Sequence, residues 1–298
     1  MPNRRLLAII EATLAVITWG ITFVATKVAL RQITPSGVVW LRFGIGVVLL
    51  GLAVWLKGQF AWPSRKDLGY LALIGFIGIT FHQWLQSTGM VTSQASTTAW
   101  IVATTPVFMA ILGWLVLKER LTFIQVVGIG VAALGVLMVV TKGDLASLGR
   151  GQFGAPGDFL ILISSPNWAV FSILSRRGLR RYPATLMMFF VMIFGWLFTS
   201  VLFFAGPGLA QLENLDKDGW LAVIFLGVFG SGLAYIFWYD ALQNLPVAQA
   251  GAFVYIEPFV TVVVAALLLG EAIKGSSLLG GAGILLGVWL VNRTSRRT

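Results

Sequence analysis

Long apolar runs follow one another along almost the whole chain and are separated by short polar stretches. The runs fall roughly at residues 6–30, 36–56, 68–89, 95–117, 122–141, 158–175, 184–205, 219–241, 248–269 and 276–292. A helix of about 20 apolar residues crosses a bilayer core of about 30 Å, and the runs lack the alternation that is typical of membrane β-barrel strands. The pattern therefore predicts an all-α integral membrane protein with ten transmembrane helices.

The composition agrees with a membrane protein and excludes several other classes. Of the 298 residues, 58% are hydrophobic and 11% are charged, and the mean hydropathy is +0.89, whereas a soluble domain carries about 25% charged residues. The net charge of +10 does not indicate a nucleic-acid partner, because the basic residues lie in short clusters at the ends of apolar runs. The absence of cysteine excludes disulfides and thiolate metal sites. We predict neither a cofactor nor a bound metal.

The basic residues are distributed unevenly between the two sets of helix ends. One set carries 14 Lys and Arg residues and the opposite set carries 6, while Arg42 lies within the second run. Basic residues accumulate on the cytoplasmic side of membrane proteins. The distribution predicts that both termini are cytoplasmic, which requires an even number of spans. The predicted location is the bacterial inner (plasma) membrane, which the chain would cross several times.

The second half of the chain repeats the first. A shift of 152 residues aligns 96–139 with 248–291 without a gap. It superposes residue types that rarely coincide by chance: Pro106 on Pro258, Glu119 on Glu271, Gly128 on Gly280, and Gly135 on Gly287. We predict a first five-helix repeat at 1–143, a glycine-rich linker at 144–157 and a second five-helix repeat at 158–298.

An odd number of spans in each repeat has a consequence for mechanism. The second repeat must enter the membrane from the side opposite to the first, which makes the two repeats inverted. Inverted repeats are related by a pseudo-two-fold axis in the membrane plane, and their substrate site lies near the midplane where they meet. The sequence therefore predicts transport by alternating access. The letters of a dinucleotide-binding fingerprint at 149–154 have no such meaning here, because they lie in the linker and not between a strand and a helix.

Four segments carry a pattern that resembles a known family. They are Trp19–Val24 in the first run, Pro35 with Arg42 in the second, Thr105–Phe108 through Lys118 and Glu119, and Glu257–Phe259 through Gly270 and Glu271. In this order, over nearly the whole chain, they resemble the drug/metabolite transporter superfamily and specifically its ten-helix EamA-type exporters. The resemblance implies a secondary carrier or facilitator that exports small metabolites. The many aromatic residues near the middle of the bundle are most similar to the aromatic amino-acid exporter branch, which implies amino acids, aromatic ones included, as substrates.

Two ionisable residues inside the apolar runs are the first candidates for a substrate site, since charges in hydrocarbon are costly. His82 is the only histidine, and its titration range makes it a candidate for proton coupling; a hydrogen-bonded packing role is the alternative. Glu257 directly precedes Pro258, which frees a backbone carbonyl one turn earlier. Its carboxylate either meets a substrate ammonium group or fixes the bend as a protonated side chain. For Arg42, a structural pairing within the bundle is favoured over a contact with substrate.

Helix breaks and aromatic residues complete the predicted site. Prolines and neighbouring polar groups distort membrane helices and expose polar atoms towards the bundle interior. The residues expected to line the cavity in this way are Pro106, Pro166, Asn167 and Pro258. Aromatic walls suit planar, partly apolar substrates, and the candidates are Trp100, Trp168 and Tyr235. Glu119 and Glu271, in equivalent short loops, are expected to cap or tether helix ends.

Three further functions compete with export of amino acids. Export of drugs or other metabolites fits the same architecture. An integral-membrane enzyme needs convergent His, Asp or Glu residues, and the single histidine and scattered carboxylates argue against it. A channel is the third alternative, and turnover that fails to saturate with concentration would favour it over a carrier. The expected partners are a small-molecule substrate and the lipid bilayer, and ten spans are sufficient for a monomer to enclose a site.

Overall fold

Ten apolar helices account for almost the whole chain. The computed structural model describes residues 2–118, 120–149, 153–245 and 253–294, and it contains no strand in these ranges. The ten helices are α1 (Pro2–Ala29), α2 (Pro35–Leu56), α3 (Arg65–Thr92), α4 (Ala95–Val116), α5 (Phe123–Val140), α6 (Pro156–Leu179), α7 (Ala184–Ala205), α8 (Lys217–Leu242), α9 (Val254–Leu269) and α10 (Gly275–Thr294). Glu119 and the linker residues 150–152 lie outside the described ranges.

The described helices have the length and composition that a bilayer requires. Nine of them are long and apolar enough to cross a membrane, and α9 is a shorter apolar helix whose described part begins near residue 253. Large apolar side chains are exposed on the outside of the bundle, such as Val48 (70%), Phe123 (81%) and Leu267 (78%). Soluble monomeric proteins rarely expose so much contiguous apolar surface to water. The chain is therefore an all-α, multi-pass integral membrane protein.

The packing of the helices follows a pseudo-two-fold axis between the two halves. Helix α1 packs along α8 and α9 of the second half, and α6 packs along α3 and α4 of the first half. Two further pairs, α2 with α7 and α5 with α10, join equivalent helices of the two halves directly. Each of these contacts between the halves thus has a counterpart in which the two repeats exchange roles.

Glycines on α5 and α10 show that the halves are inverted. A Cβ atom on Gly128 would lie 2.7 Å from the Gly287 carbonyl oxygen, and one on Gly135 would lie 2.5 Å from the Gly280 carbonyl oxygen. The repeat pairs Gly128 with Gly280 and Gly135 with Gly287, so each glycine contacts the counterpart of the other. This reciprocal contact is the signature of a two-fold axis. The later glycine of α5, Gly135, contacts the earlier glycine of α10, Gly280, so the two helices are antiparallel.

Four helices depart from regular α geometry at equivalent places in the two halves. Helix α3 contains a π-helical segment at Phe76–Phe81, and α8 contains one at Leu226–Leu233. Helix α4 is interrupted after Val102 and resumes at Thr105, and α9 begins with a 3₁₀ turn at Val254–Ile256 and becomes α-helical at Glu257. Thr105 and Glu257 are aligned by the repeat, so both helices start their second segment at the same position.

Helix α6 differs from the expectation for Pro166. The helix runs without interruption from Pro156 to Leu179 with Pro166 inside it, whereas the sequence predicted a distortion there. A proline removes one intrahelical hydrogen bond, and in membranes neighbouring helices and Ser or Thr side chains compensate for such a loss. The hydroxyls of the two serines before Pro166 donate to backbone carbonyls: Ser164 to Ile161 at 2.7 Å and Ser165 to Ile101 of α4 at 3.3 Å.

Candidate functional site

Polar and aromatic side chains from six helices meet near the middle of the bundle. We call this group the central cluster, and it consists of Trp19 (α1), Arg42 (α2), His82 (α3), Trp168 (α6), Tyr235 (α8) and Glu257 (α9). The two halves contribute equally to it, with three residues from each. The central cluster therefore lies where inverted repeats place a substrate.

Aromatic rings form two walls of the central cluster. On one side the ring centroids of Trp19 and Tyr235 are 5.5 Å apart in an edge-to-face arrangement, and Trp238 lies 5.3 Å from Trp19. On the other side the imidazole of His82 lies 4.7 Å from Trp168, which contacts Phe171 at 4.9 Å. Such geometries favour contact with a further planar group. The repeat also aligns Trp19 with Trp168, 149 residues apart, and this match could have added Trp19 to the predicted site.

Side chains from the first helix of each half bond the π-helical segment of the other half. The indole Nε1 of Trp19 donates to the Gly230 carbonyl of α8 at 3.2 Å, and Nδ2 of Asn167 donates to the Ile77 carbonyl of α3 at 2.9 Å. A π-helical segment shifts the intrahelical hydrogen bonds and leaves carbonyls for other donors, and such segments are frequent at functional sites. Asn167 is thus engaged with the backbone of α3.

His82 is buried and only partly satisfied. Its side chain is 4% exposed, and its Nδ1 has no hydrogen-bond partner among the described residues. A buried nitrogen without a hydrogen bond costs free energy. A ligand or a proton that binds Nδ1 would remove this cost.

Glu257 occupies the start of the α-helical part of α9, directly before Pro258. Its carboxylate has no hydrogen-bond or ion-pair partner among the described residues, and it lies within electrostatic range of Tyr235. The α9 backbone is held close to α1 there: a Cβ atom on Gly20 would lie 2.8 Å from the Glu257 carbonyl oxygen, and Thr261 Oγ1 donates to the Gly20 carbonyl at 2.9 Å. The close approach fixes the position of the carboxylate beside the aromatic wall.

Trp100 lies apart from the central cluster. It is 1% exposed and packs edge-to-face against Phe259, with ring centroids 5.4 Å apart. Its indole fills the space that a Cβ atom on Gly281 of α10 would occupy, at 2.5 Å. It belongs to the apolar core formed with α5 and α10, and its buried Nε1 has no hydrogen-bond partner among the described residues.

Of the three predicted prolines, Pro106 lines an opening of the bundle. We call the end at which the chain begins and α10 ends the terminal end, and the opposite end the far end. Pro106 lines a cavity of about 210 Å³ towards the terminal end, together with Arg176, Asn292 and others. A second cavity of about 370 Å³ at the far end is lined by residues including Arg31, Thr34 and Gln211.

Hydrogen bonds hold α3 and α4 together at the far end. Glu271 accepts from the backbone N–H groups of Ala95 at 2.8 Å and Ser96 at 3.1 Å, which caps the N-terminus of α4 as the sequence predicted. The Lys27 ammonium donates to the Met90 carbonyl of α3 at 2.7 Å. The connection between α3 and α4 is therefore held by side chains from α1 and from the loop that follows α9.

Within the described ranges, no three or more His, Asp or Glu side chains come close enough together to hold a metal ion. The central cluster contains one carboxylate, one guanidinium, one imidazole and several aromatic faces, which are groups that bind charged and planar ligands.

Sequence comparison decides the family. The model of the EamA-like transporter family matches the chain twice, over residues 6–141 and 155–293. The chain belongs to the EamA-like transporter family. The resemblance to EamA-type transporters is thereby confirmed, and the protein is a transporter of small molecules.

Several proteins related to this EamA-like transporter are themselves named transporters, exporters or efflux pumps. It is 27% identical over 95% of its length to an uncharacterized transporter of Archaeoglobus fulgidus, covering 98% of that protein. It is 28% identical to a probable terminal-alkyne amino-acid exporter of Streptantibioticus cattleyicolor (96% and 93% covered) and 28% identical to a probable amino-acid metabolite efflux pump of Salmonella typhimurium (96% of both chains). One crystal structure superposes on 99% of the transporter with a TM-score of 0.68 at 18% identity, a likeness that shows the fold.

Proposed function

We propose that this EamA-like transporter exports amino acids, aromatic ones included, by alternating access through the central cluster. The observation that carries the proposal is Glu257, a carboxylate inside the bundle with no partner among the described residues. A carboxylate in such a place gains most from a cationic ligand, since an unpaired charge away from water is costly. The α-ammonium group of an amino acid meets this requirement.

The aromatic walls support amino acids with planar side chains. Trp19 and Tyr235 lie on the Glu257 side of the cluster, and Trp168 lies on the His82 side. A substrate with a phenyl or indole group has a flat face for each wall, and such contacts favour binding beyond the area that they bury. Trp100 is not included in the proposed site, because it is buried against Gly281 and Phe259.

The inverted repeats support alternating access. Equivalent breaks in α3 and α8, and in α4 and α9, allow each half to adopt the shape of the other, which exchanges the open and closed ends of the bundle. We take residues 144–157 as the linker between the repeats, 1–143 and 158–298, and place both termini in the cytoplasm of a bacterial cell. The unsatisfied Nδ1 of His82 is the candidate for proton coupling in this scheme.

Two relatives carry names that agree with amino acids as substrates. The Streptantibioticus cattleyicolor protein is named an amino-acid exporter, and the Salmonella typhimurium protein an amino-acid metabolite efflux pump. These names describe those proteins. They support amino acids over drugs as substrates of this transporter. The preference for substrates with aromatic side chains is proposed from the central cluster alone.

The experiment that tests the proposal is flux into proteoliposomes. Purified transporter is reconstituted and given a panel of labelled amino acids that includes phenylalanine, at neutral pH and under two opposite pH gradients. We expect saturable flux of phenylalanine and loss of most of that flux in Glu257→Gln, because the neutral amide does not attract an ammonium group. Lys66→Gln, which changes an exposed charge at the terminal end, is the matched control and should keep normal flux.

Each alternative has a distinct outcome in the same assay. Absence of flux for every amino acid would overturn the proposal. Flux that rises linearly with concentration indicates a channel, because a carrier saturates when its site is occupied. A rate that is unaffected by the pH gradient in the wild type removes His82 from the scheme and leaves facilitated diffusion.

A further inference from the structure

Arg42 is a buried guanidinium in the membrane-spanning part of the bundle. Its residue is 6% exposed, and its side chain extends from α2 to α3 and α8. Nε donates to the Ser231 hydroxyl at 3.0 Å and Nη1 is 3.4 Å from Oε1 of Gln83, while Nη2 has no hydrogen-bond partner among the described residues. Two of the three guanidinium nitrogens are thus oriented by the protein and the third is free.

The π-helical segment of α8 makes the space for this side chain. A Cβ atom on Gly230 would lie 3.4 Å from Nη2 of Arg42, and the next residue, Ser231, supplies the hydroxyl that accepts from Nε. The carbonyl of Gly230 accepts from the indole of Trp19. Arg42 and Trp19 therefore bind adjacent residues of one irregular segment, which places the guanidinium beside the aromatic wall.

Among the described residues, no acidic side chain forms an ion pair with Arg42. The ion pairs Lys57–Asp240 and Arg181–Asp67 involve other basic side chains, near the terminal end. The groups around Arg42 are neutral or polar: Phe43 on α2 itself, and Thr22, His82, Gln83, Ser231 and Tyr235 on the neighbouring helices. A buried charge without a counter-charge is strongly unfavourable. The structure differs here from the structural pairing that the sequence suggested.

We propose that Arg42 binds the carboxylate of the transported amino acid. A guanidinium is planar, stays charged, and donates two parallel hydrogen bonds to a carboxylate. The inference rests on the proposed function and names the second charged contact in the same site. Both charged residues lie next to Trp19: Arg42 binds Ser231, whose neighbour Gly230 accepts from the Trp19 indole, and the Glu257 backbone packs against Gly20. One guanidinium and one carboxylate near the same aromatic residue match the carboxylate and the ammonium group of a zwitterion.

A series of phenylalanine analogues tests the carboxylate contact without any mutation. Wild-type proteoliposomes carry labelled phenylalanine in competition with unlabelled phenylalanine, phenylalaninamide or 2-phenylethylamine. The last two keep the ammonium group and the ring but lack the carboxylate. We expect both to compete roughly 30-fold or more weakly than phenylalanine, because leaving a buried charge unpaired is the larger part of such a loss.

Variants of Arg42 connect this selectivity to the guanidinium. In Arg42→Gln we expect weak binding of phenylalanine and loss of the preference over phenylalaninamide, while Arg42→Lys keeps part of the preference through its charge. Arg65→Gln removes an exposed arginine at the terminal end and should behave as the wild type. If Arg42→Gln does not fold, as judged by gel filtration in detergent, the analogue series alone decides.

The outcomes separate this inference from the proposed function. If phenylalanine is transported and phenylalaninamide competes equally well, Arg42 does not bind the substrate carboxylate. The proposal of amino-acid export is not affected by this outcome. A selectivity that is unchanged in a folded Arg42→Gln protein has the same meaning. If no amino acid in the panel is transported, the proposed function fails and the inference fails with it.

Discussion

Trp168 has two neighbours in the central cluster that give its ring a defined position. The imidazole of His82 lies 4.7 Å from it on one side, and Phe171 lies 4.9 Å away along α6. Trp84 of α3 is similar in size but is 37% exposed on the outside of the bundle, where it stacks on Phe81. Two tryptophans with the same intrinsic properties thus have different surroundings, one in the proposed site and one towards lipid.

This difference predicts different effects of truncation. Trp168→Ala should raise the apparent KM for phenylalanine about tenfold, since an aromatic contact contributes about 0.5–1.5 kcal/mol beyond buried area. Trp84→Ala should change it less than about twofold, as expected for a substitution away from the site. The measurement is concentration-dependent flux in proteoliposomes. Equal effects of the two substitutions would place Trp168 outside the substrate path.

At the scale of helices, the contact between α5 and α10 depends on glycines. Gly128, Gly135, Gly280 and Gly287 let the two backbones approach closely, and small residues serve this purpose throughout membrane proteins. Gly130 lies on the same helix as Gly135 but is exposed, with no atom within 4 Å of the position of an added Cβ. The two glycines differ in their contacts and not in their helical conformation.

Alanine at these two positions should therefore act in opposite directions. Alanine is a better helix former than glycine by about 1 kcal/mol, so Gly130→Ala should leave the melting temperature unchanged or raise it. In Gly135→Ala the added methyl group meets the Gly280 carbonyl at 2.5 Å, and overpacking of this kind costs about 1–3 kcal/mol. The melting temperature in detergent should fall. A Gly135→Ala protein as stable as the wild type would contradict the close contact.

At the scale of the whole molecule, the orientation in the membrane follows from charge. The terminal end of the bundle carries most of the basic residues and the far end carries few, with 14 against 6 in the sequence. Since basic residues stay on the cytoplasmic side, the terminal end should be cytoplasmic. Glu213, near the end of α7, lies at the far end, and Lys66, at the start of α3, lies at the terminal end.

The chain offers a direct measurement of this orientation because it has no cysteine. We expect Glu213→Cys to react with a membrane-impermeant maleimide in intact spheroplasts, and Lys66→Cys to react only after permeabilisation. Both positions are exposed, so a lack of labelling does not arise from burial. The reverse pattern would place the termini outside the cell.

The sequence by itself determined the class of fold, the repeat and the family. Lipid requires each span to be a continuous apolar helix that satisfies its own backbone, so spans can be counted from hydropathy. The aligned prolines predicted the equivalent breaks in α4 and α9, and the aligned glycines supported the repeat. These features are local or periodic, and they leave a trace in the order of residues.

The tertiary structure alone decided which side chains meet in the central cluster. In a membrane helix both the lipid face and the packed face are apolar, so hydropathy does not show the direction in which a tryptophan points, and a shift of one position rotates it by about 100°. Hydropathy therefore did not distinguish Trp100, which lies apart from the central cluster, from Trp168, which lies in it. Trp19 was not among the predicted site residues. The free Nη2 of Arg42 depends on the π-helical segment of α8, a shift of backbone hydrogen bonds that no spacing of residues indicates.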